Sequence, residues 1–197
     1  MIKKIRTAIL ISGRGSNMKA LIQSSKAPDF PAEIVLVISN NQNALGLNFA
    51  KENNILTIVI DHKNFHNRQD FEFQLDSEIR KNQVEIICLA GFMRILSSWF
   101  VSKWQNKLIN IHPSLLPNFK GARAVEDAIE ARAKISGCST HYVSDEIDSG
   151  EIIMQAQVEV VDSDDAHSLG QKILLEEHKI YPQTLKIVCN NLLNKNN

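Results

Sequence analysis

The sequence AILISGRGSN, residues 8–17, decides the fold. It consists of an apolar run, then a glycine-rich turn, and then the start of a helical pattern. A strand that enters a helix in this way opens a β-α-β unit, and apolar runs go on alternating with helical patterns as far as Ile111. The runs are continuously apolar, which is typical of parallel strands with helices on both faces. The pattern predicts an α/β fold with a doubly wound, mostly parallel sheet.

The predicted elements divide at Pro117. Before it, we expect strands at residues 5–11, 33–39, 56–60, 84–90 and 108–111, and helices at 16–25, 44–53, 68–81 and 97–101. After it, a helix at 124–133 precedes two strands, 137–143 and 151–160, joined by the polar turn SDEIDSG. This pair is expected to add antiparallel strands to the sheet.

The last segment is predicted to be helical. Asp164 and Asp165 suit the N-terminus of this helix, because carboxylates favour the positive end of a helix dipole. Pro182 is expected to kink or break it, and the polar end NNLLNKNN is expected to fray. Since the chain contains no repeat and no linker, we expect one domain over residues 1–197.

Composition excludes several classes of protein. Lys plus Arg and Asp plus Glu both number 22, so the net charge is zero, whereas nucleic-acid binding usually needs a basic excess. The cysteines, Cys88, Cys138 and Cys189, are too widely spaced for a zinc site and odd in number for a disulfide scaffold. The apolar run AILI is too short for a signal peptide or a membrane span. We therefore expect a cytoplasmic protein that binds neither nucleic acid nor membrane.

Three polar segments each follow an apolar strand directly. They are SGRGSN at residues 12–17, GFMR at 91–94 and NIHPS at 110–114. Ligands of open parallel sheets bind outside the carboxyl ends of the strands, so the three segments are expected to meet in one site.

The first of these segments indicates a phosphate site. Its backbone N–H groups and the helix dipole would attract an anion, although Ser16 could equally be a helix cap. The pattern does not fit a dinucleotide site, because Met18 occupies the third glycine position and no acidic residue follows the second strand. A mononucleotide phosphate is the better fit.

The third segment indicates acyl-transfer chemistry. Asn110 and His112 are two residues apart on a strand, so both side chains leave the same face. An amide donor beside an imidazole can stabilise a developing oxyanion and supply an acid. The pair could also only solvate a turn, and the residues alone leave both interpretations open. They also leave open whether Asp148 is an exposed turn residue, whether His141 is a buried core residue, and whether Arg68, Glu176 and Glu177 are surface charges.

The whole chain nevertheless resembles one family. The stretches ILISGRGSN, SNNQNALGL, LAGFMRILS, LINIHPSLLPNFKGA, GCSTHYVSDEIDSGEIIMQA and EEHKIYP are similar, in this order and spacing, to the glycinamide ribonucleotide formyltransferases. The family fold is Rossmann-like, with a mixed sheet. The resemblance implies transfer of a formyl group from 10-formyltetrahydrofolate, a cosubstrate, to the amino group of glycinamide ribonucleotide in purine synthesis, without a metal.

The resemblance also assigns residues. It implies that Asn110, His112 and Asp148 are catalytic, and that Gly15, Ser16, Asn17 and Glu177 bind the ribonucleotide. It places at the folate site Arg68, Met93, Arg94, Ile95, Leu96 and Asn110, together with Ser144, Asp145, Glu146, Ile147 and Asp148. Arg123 departs from the family, which commonly has histidine there. A monomer or weak homodimer is expected.

Three other functions remain to be distinguished. Methionyl-tRNA formyltransferase is similar in the folate-binding core, but it adds a C-terminal domain and lacks the GxGSN loop. Formyltetrahydrofolate hydrolase usually carries an N-terminal regulatory domain. Because the first predicted strand starts at Ile5, we expect no such domain here. A non-catalytic folate or nucleotide sensor would be expected to lack one of Asn110, His112 and Asp148.

Overall fold

A computed structural model describes residues 3–195. Its strands are β1 (Ile5–Ile11), β2 (Ala32–Ser39), β3 (Leu56–Val59), β4 (Ile86–Leu89), β5 (Leu108–His112), β6 (Ile135–Tyr142) and β7 (Ile152–Glu159). Its α-helices are α1 (Ser16–Ser25), α2 (Gly46–Glu52), α3 (Arg68–Lys81), α4 (Ser98–Lys103), α5 (Ala124–Glu130) and α6 (Ala166–Lys195), and a short 3-10 helix covers His62–Asn64. No helix among these residues has both the length and the apolar character needed to cross a membrane.

The strands form one sheet in the order β3-β2-β1-β4-β5-β6-β7. The first five strands pair in parallel, whereas β6 is antiparallel to both β5 and β7. The predicted doubly wound, mostly parallel sheet with an antiparallel C-terminal addition is confirmed. The strand order reverses between β1 and β4, which is where ligands of such sheets bind.

The helices cover both faces of the sheet, as the side chains of β1 illustrate. Ile5, Ile9 and Ile11 pack in one core with residues of α1 and α6, while Ala8 and Leu10 pack in a second core with residues of α3 and α4. Successive side chains of a strand point to opposite faces, so a strand covered on both sides must be apolar throughout.

Helix α6 corrects two predictions. It continues through Pro182, which is buried within it, so the proline does not break the helix. A proline inside a helix costs about 3 kcal/mol, but Tyr181 and Leu185 on either side are fully buried and hold the helix on the sheet. Residues 190–195, predicted to fray, are helical because Leu192 and Leu193 pack against the core. Asn196 and Asn197 lie outside the described residues.

Several predicted boundaries move for local reasons. Helix α2 begins at Gly46, not at residue 44, and the Gly46 N–H donates to the carbonyl of Gly13 in the glycine-rich loop. Strand β4 begins at Ile86, not at residue 84, because the Val84 N–H closes the end of α3 by donating to Ile79. Helix α5 ends at Glu130, since Arg132 adopts a left-handed backbone conformation that ends the helix.

Candidate active site

The three polar segments meet at one edge of the sheet, as predicted. They follow β1, β4 and β5, which are adjacent, and the Ser12 N–H donates to the carbonyl of Gly91 at 3.1 Å across the β1–β4 switch point. The glycine-rich loop and the loop after β4 are therefore in direct contact, and Asn110 and His112 end the next strand along.

Asn110 and His112 leave the same face of β5. Ile109 and Ile111 belong to the core under α1 and α6, and Leu108 belongs to the core under α3 and α4. Alternation along the strand therefore directs Asn110 and His112 to the α3–α4 side.

Both ring nitrogens of His112 face oxygen acceptors. Its Nδ1 lies 3.3 Å from Oδ2 of Asp148, and its Nε2 lies 2.9 Å from the carbonyl oxygen of Phe119. The His112 side chain is only 6% exposed. The doubly protonated imidazolium is the form that can donate to both oxygens.

Asp148 is a largely buried member of this site and not an exposed turn residue. Its side chain is 11% exposed, and Oδ2 also accepts a hydrogen bond of 2.9 Å from the Gly121 N–H. Burial alone would raise the pKa of Asp148, but the His141 ring, the Gly121 N–H and the charge of His112 together lower it below its usual value. Asp148 is therefore held as a carboxylate.

Two residues that touch His112 have left-handed backbone conformations. Phe119 has a φ of 52° and Asp148 a φ of 47°, values that residues other than glycine adopt at a cost in energy. Such strain persists only where the surrounding contacts impose it, and here both residues aim oxygen atoms at one imidazole. The backbone of both loops is thus shaped around His112.

His141 also belongs to the site, although sequence reasoning left its role open. It lies opposite Asn110 in the antiparallel β5–β6 pairing, and its Nε2 is 3.2 Å from Nδ2 of Asn110. Its Nδ1 donates to the carbonyl of Tyr142 at 2.8 Å, and its Nε2 faces both Asn110 and Asp148. The distance of 3.6 Å between Nε2 and Oδ1 of Asp148 is longer than a hydrogen bond.

The glycine-rich loop and α6 form a second polar cluster. Gly15 has a φ of 69° and precedes α1, so Ser16 is the first residue of the helix and not its cap. The Asn17 Nδ2 donates to Glu177 at 2.7 Å, while the buried Oδ1 of Asn17 has no partner among residues 3–195. Burial raises the pKa of Glu177, against the opposing effect of the Asn17 hydrogen bond. An uncompensated acceptor and a buried carboxylate suit a ligand that brings N–H or O–H donors.

The residues assigned to folate lie on the opposite face. Arg68 begins α3, and one turn later the buried Glu72 accepts hydrogen bonds from the backbone and hydroxyl of Ser97. This link fixes α3 beside residues 93–96, in which Met93 is 70% exposed, Ile95 is also exposed and Leu96 is buried. Arg94 is exposed.

The turn between β6 and β7 holds the other residues assigned to folate. The Ser144 hydroxyl donates to the Glu146 carbonyl and fixes the start of the turn. Asp145, Glu146 and Ile147 are exposed. Arg123, the departure from the family, forms an exposed ion pair with Glu130.

Known proteins are similar to this chain in sequence. A family model described as formyl transferase matches residues 5–185. The Homo sapiens "Trifunctional purine biosynthetic protein adenosine-3" is 46% identical over 187 residues, which is 95% of this chain but 18% of that protein. The "Phosphoribosylglycinamide formyltransferase" of Escherichia coli is 38% identical over 174 residues, covering 88% of this chain and 82% of the relative.

Solved structures are similar as well. The crystal structure of phosphoribosylglycinamide formyltransferase from Anaplasma phagocytophilum has a TM-score of 0.90 and 44% identity, and the match covers 96% of this chain and 88% of the other. The corresponding Brucella melitensis structure has a TM-score of 0.91 and 42% identity, with 95% and 96% covered. The chain belongs to the formyl transferase family.

Proposed function

We propose that the chain transfers the formyl group of 10-formyltetrahydrofolate to the amino group of N1-(5-phospho-D-ribosyl)glycinamide, a step of purine biosynthesis. The observation that supports this most directly is the joint placement of Asn110, His112 and Asp148 at the sheet edge, between two polar sites on opposite faces. The printed names of the E. coli relative and of the solved structures favour the same substrate.

The ribonucleotide would bind on the face covered by α1 and α6. Gly15, Ser16 and Asn17 open α1, where free N–H groups can hold a phosphate. The unpartnered Oδ1 of Asn17 and the buried carboxylate of Glu177 would accept hydrogen bonds from the sugar hydroxyls or the amide.

The folate would bind on the face covered by α3. Met93 and Ile95 offer exposed apolar surface for a flat ring system, and Arg68 and Arg94 offer charge for a carboxylate tail. The turn at Ser144–Asp148 would lie against the ring. The bound folate supplies the formyl group, and the two faces bring this group and the ribonucleotide amine together beside Asn110 and His112.

The protein's part in the reaction follows from the contacts. Asn110 Nδ2 keeps one N–H beyond its bond to His141 and would donate it to the formyl oxygen as negative charge develops there. His112 would donate to the same oxygen or to the departing folate nitrogen. Asp148 stabilises the imidazolium through its charge and would accept, through water, the proton lost by the attacking amine.

The loop after β5 must release His112 for this to happen. The Phe119 carbonyl lies 2.9 Å from Nε2 of His112 and accepts from the N–H that the substrate would need.

An activity assay tests the proposal. The purified protein is incubated with 10-formyltetrahydrofolate in the presence and absence of the ribonucleotide, and both loss of formyl-folate and formylation of the ribonucleotide are measured. We expect turnover only when both are present. Release of formate without the ribonucleotide would instead indicate the hydrolase. The single-domain organisation of this chain, its cytoplasmic location and its monomeric or weakly dimeric state remain predictions.

A further inference from the structure

Ser12 is the residue at which three strand ends are tied together. It directly follows β1, and its hydroxyl donates to Oδ1 of Asn40 at 2.6 Å and accepts from the Met93 N–H at 2.8 Å. Asn40 follows β2 and is buried, and Met93 lies in the loop after β4. Because β1 lies between β2 and β4, one hydroxyl joins the ends of all three strands.

The backbone of Ser12 repeats these ties. Its N–H donates to the Gly91 carbonyl at 3.1 Å, and its carbonyl accepts from Nδ2 of Asn41 at 3.3 Å. The start of the glycine-rich loop is therefore held by main-chain bonds that any residue could make. The Met93 N–H, by contrast, depends on the hydroxyl of Ser12.

We propose that Ser12, which opens the phosphate loop, is a positioning residue for the folate loop at residues 91–96. The inference rests on the proposed function and extends it to a residue that would touch neither substrate. The Met93 side chain is 70% exposed, so side-chain packing does little to fix this loop at that point. The hydrogen bond from its backbone to Ser12 fixes the loop at Met93, between the buried Phe92 and Leu96.

Only a hydroxyl can do both parts of this task. It donates to an amide oxygen and accepts from an N–H at the same time, which neither alanine nor glycine can do. Asn40 is oriented for the bond by its own Nδ2, which contacts Nδ1 of His62 at 3.3 Å. Loss of the hydroxyl would leave the buried Oδ1 of Asn40 and the Met93 N–H without their partner.

The phosphate loop has anchors that do not involve this hydroxyl. The Gly13 carbonyl accepts from the Gly46 N–H at 3.1 Å, and the Gly15 carbonyl accepts from the Lys19 N–H at 2.9 Å in the first turn of α1. The two substrates should therefore respond unequally to Ser12→Ala, although Ser12 is part of the ribonucleotide loop in sequence.

The test compares Ser12→Ala, Ser12→Thr and a control, Ser102→Ala. Ser102 is exposed, and its hydroxyl donates to the Trp99 carbonyl within α4. Steady-state kinetics gives the KM for each substrate, and amide hydrogen exchange of the substrate-free protein measures protection of residues 91–96. We expect Ser12→Ala to raise the KM for formyl-folate about three- to tenfold, the effect of roughly one net hydrogen bond. The KM for the ribonucleotide should change less than about twofold, and exchange at residues 91–96 should accelerate.

The threonine variant keeps the hydroxyl and should restore most of the folate affinity and the protection. Equal increases in both KM values together with a lower Tm would show a merely structural serine and overturn the inference. Unchanged KM values and unchanged exchange would overturn it too. If the wild-type protein transfers no formyl group, the proposed function fails, but the exchange data still decide whether Ser12 holds the loop.

Discussion

The carboxylate of Asp148 gives the most decisive test of the catalytic assignment. Asp148→Asn keeps the shape of the side chain and an oxygen that can accept from the Gly121 N–H, but it removes the charge beside His112. At 3.3 Å and an effective dielectric constant of about 20, the attraction between carboxylate and imidazolium is on the order of 5 kcal/mol. If roughly half of this survives the cost of desolvation, turnover should fall about a hundredfold.

The pH profile identifies the cause of that loss. The pKa of Asp148 is lowered, so the wild-type group stays ionised through the neutral range and contributes no limb there. The charge beside His112 is therefore constant across neutral pH, and its removal should lower turnover by a similar factor throughout that range. A loss confined to one end of the range would mean that another titrating group is responsible.

Stability gives a second signature of the same charge. A carboxyl group with a lowered pKa in the folded state stabilises the protein above its unfolded pKa of about 3.9, and this stability is lost as pH falls through the folded value. The wild-type protein should thus be more stable than Asp148→Asn at neutral pH, and the difference should shrink in acid below about pH 4. Urea unfolding at several pH values measures it.

Asp29→Asn is the control, since it removes an exposed charge just before β2, at the end of the strands opposite the site. It should leave turnover and the pH limbs close to those of the wild-type protein. If Asp148→Asn behaves in the same way, Asp148 is only a turn residue and the catalytic set is wrong.

Three further variants test the remaining assignments. Gly15→Val should raise the KM for the ribonucleotide far more than that for the folate, because Gly15 has a φ of 69° and an added Cβ would lie 3.2 Å from the Cα of Gly46; equal effects on both KM values would contradict this. Asn110→Ala should lower turnover by about 10²–10³ with little change in substrate binding, and a variant that keeps most of its turnover refutes the oxyanion role. Glu177→Gln should weaken ribonucleotide binding, as measured by calorimetry. It should nevertheless raise Tm at neutral pH, because burial raises the pKa of Glu177 and its ionisation therefore opposes folding. A lower Tm would contradict this second expectation.

Local patterns in the sequence predict the fold well because each strand and helix shows its own periodicity. They also predict that Asn110 and His112 point together, since alternation along a strand is a local property. His141 was left open because its place opposite Asn110 depends on the register between β5 and β6, which no local pattern records.

Contacts between distant segments are the other part that local patterns do not reveal. Asn17 and Glu177 are 160 positions apart in the chain, and Ser12 and Met93 are 81 apart. The family resemblance implied that Asn17 and Glu177 belong to one ribonucleotide site, and nothing else in the sequence linked them. The role of Ser12 had no such signal. Pro182 failed as a helix breaker for a related reason, because burial against the rest of the fold outweighs a local propensity.

The way the turn between β6 and β7 closes makes the number of residues in that turn a criterion for judging divergent sequences. A Cβ on Gly150 would lie 1.7 Å from the Tyr142 carbonyl, so the chain returns to β6 at this one position and needs glycine there. The number of residues between Tyr142 and Gly150 therefore determines where Asp148 lies. The exposed side chains of Asp145, Glu146 and Ile147 do not affect this position. In a distant relative, an insertion or deletion between Tyr142 and the glycine would move Asp148 away from His112, which substitutions at the tip of the turn would not do.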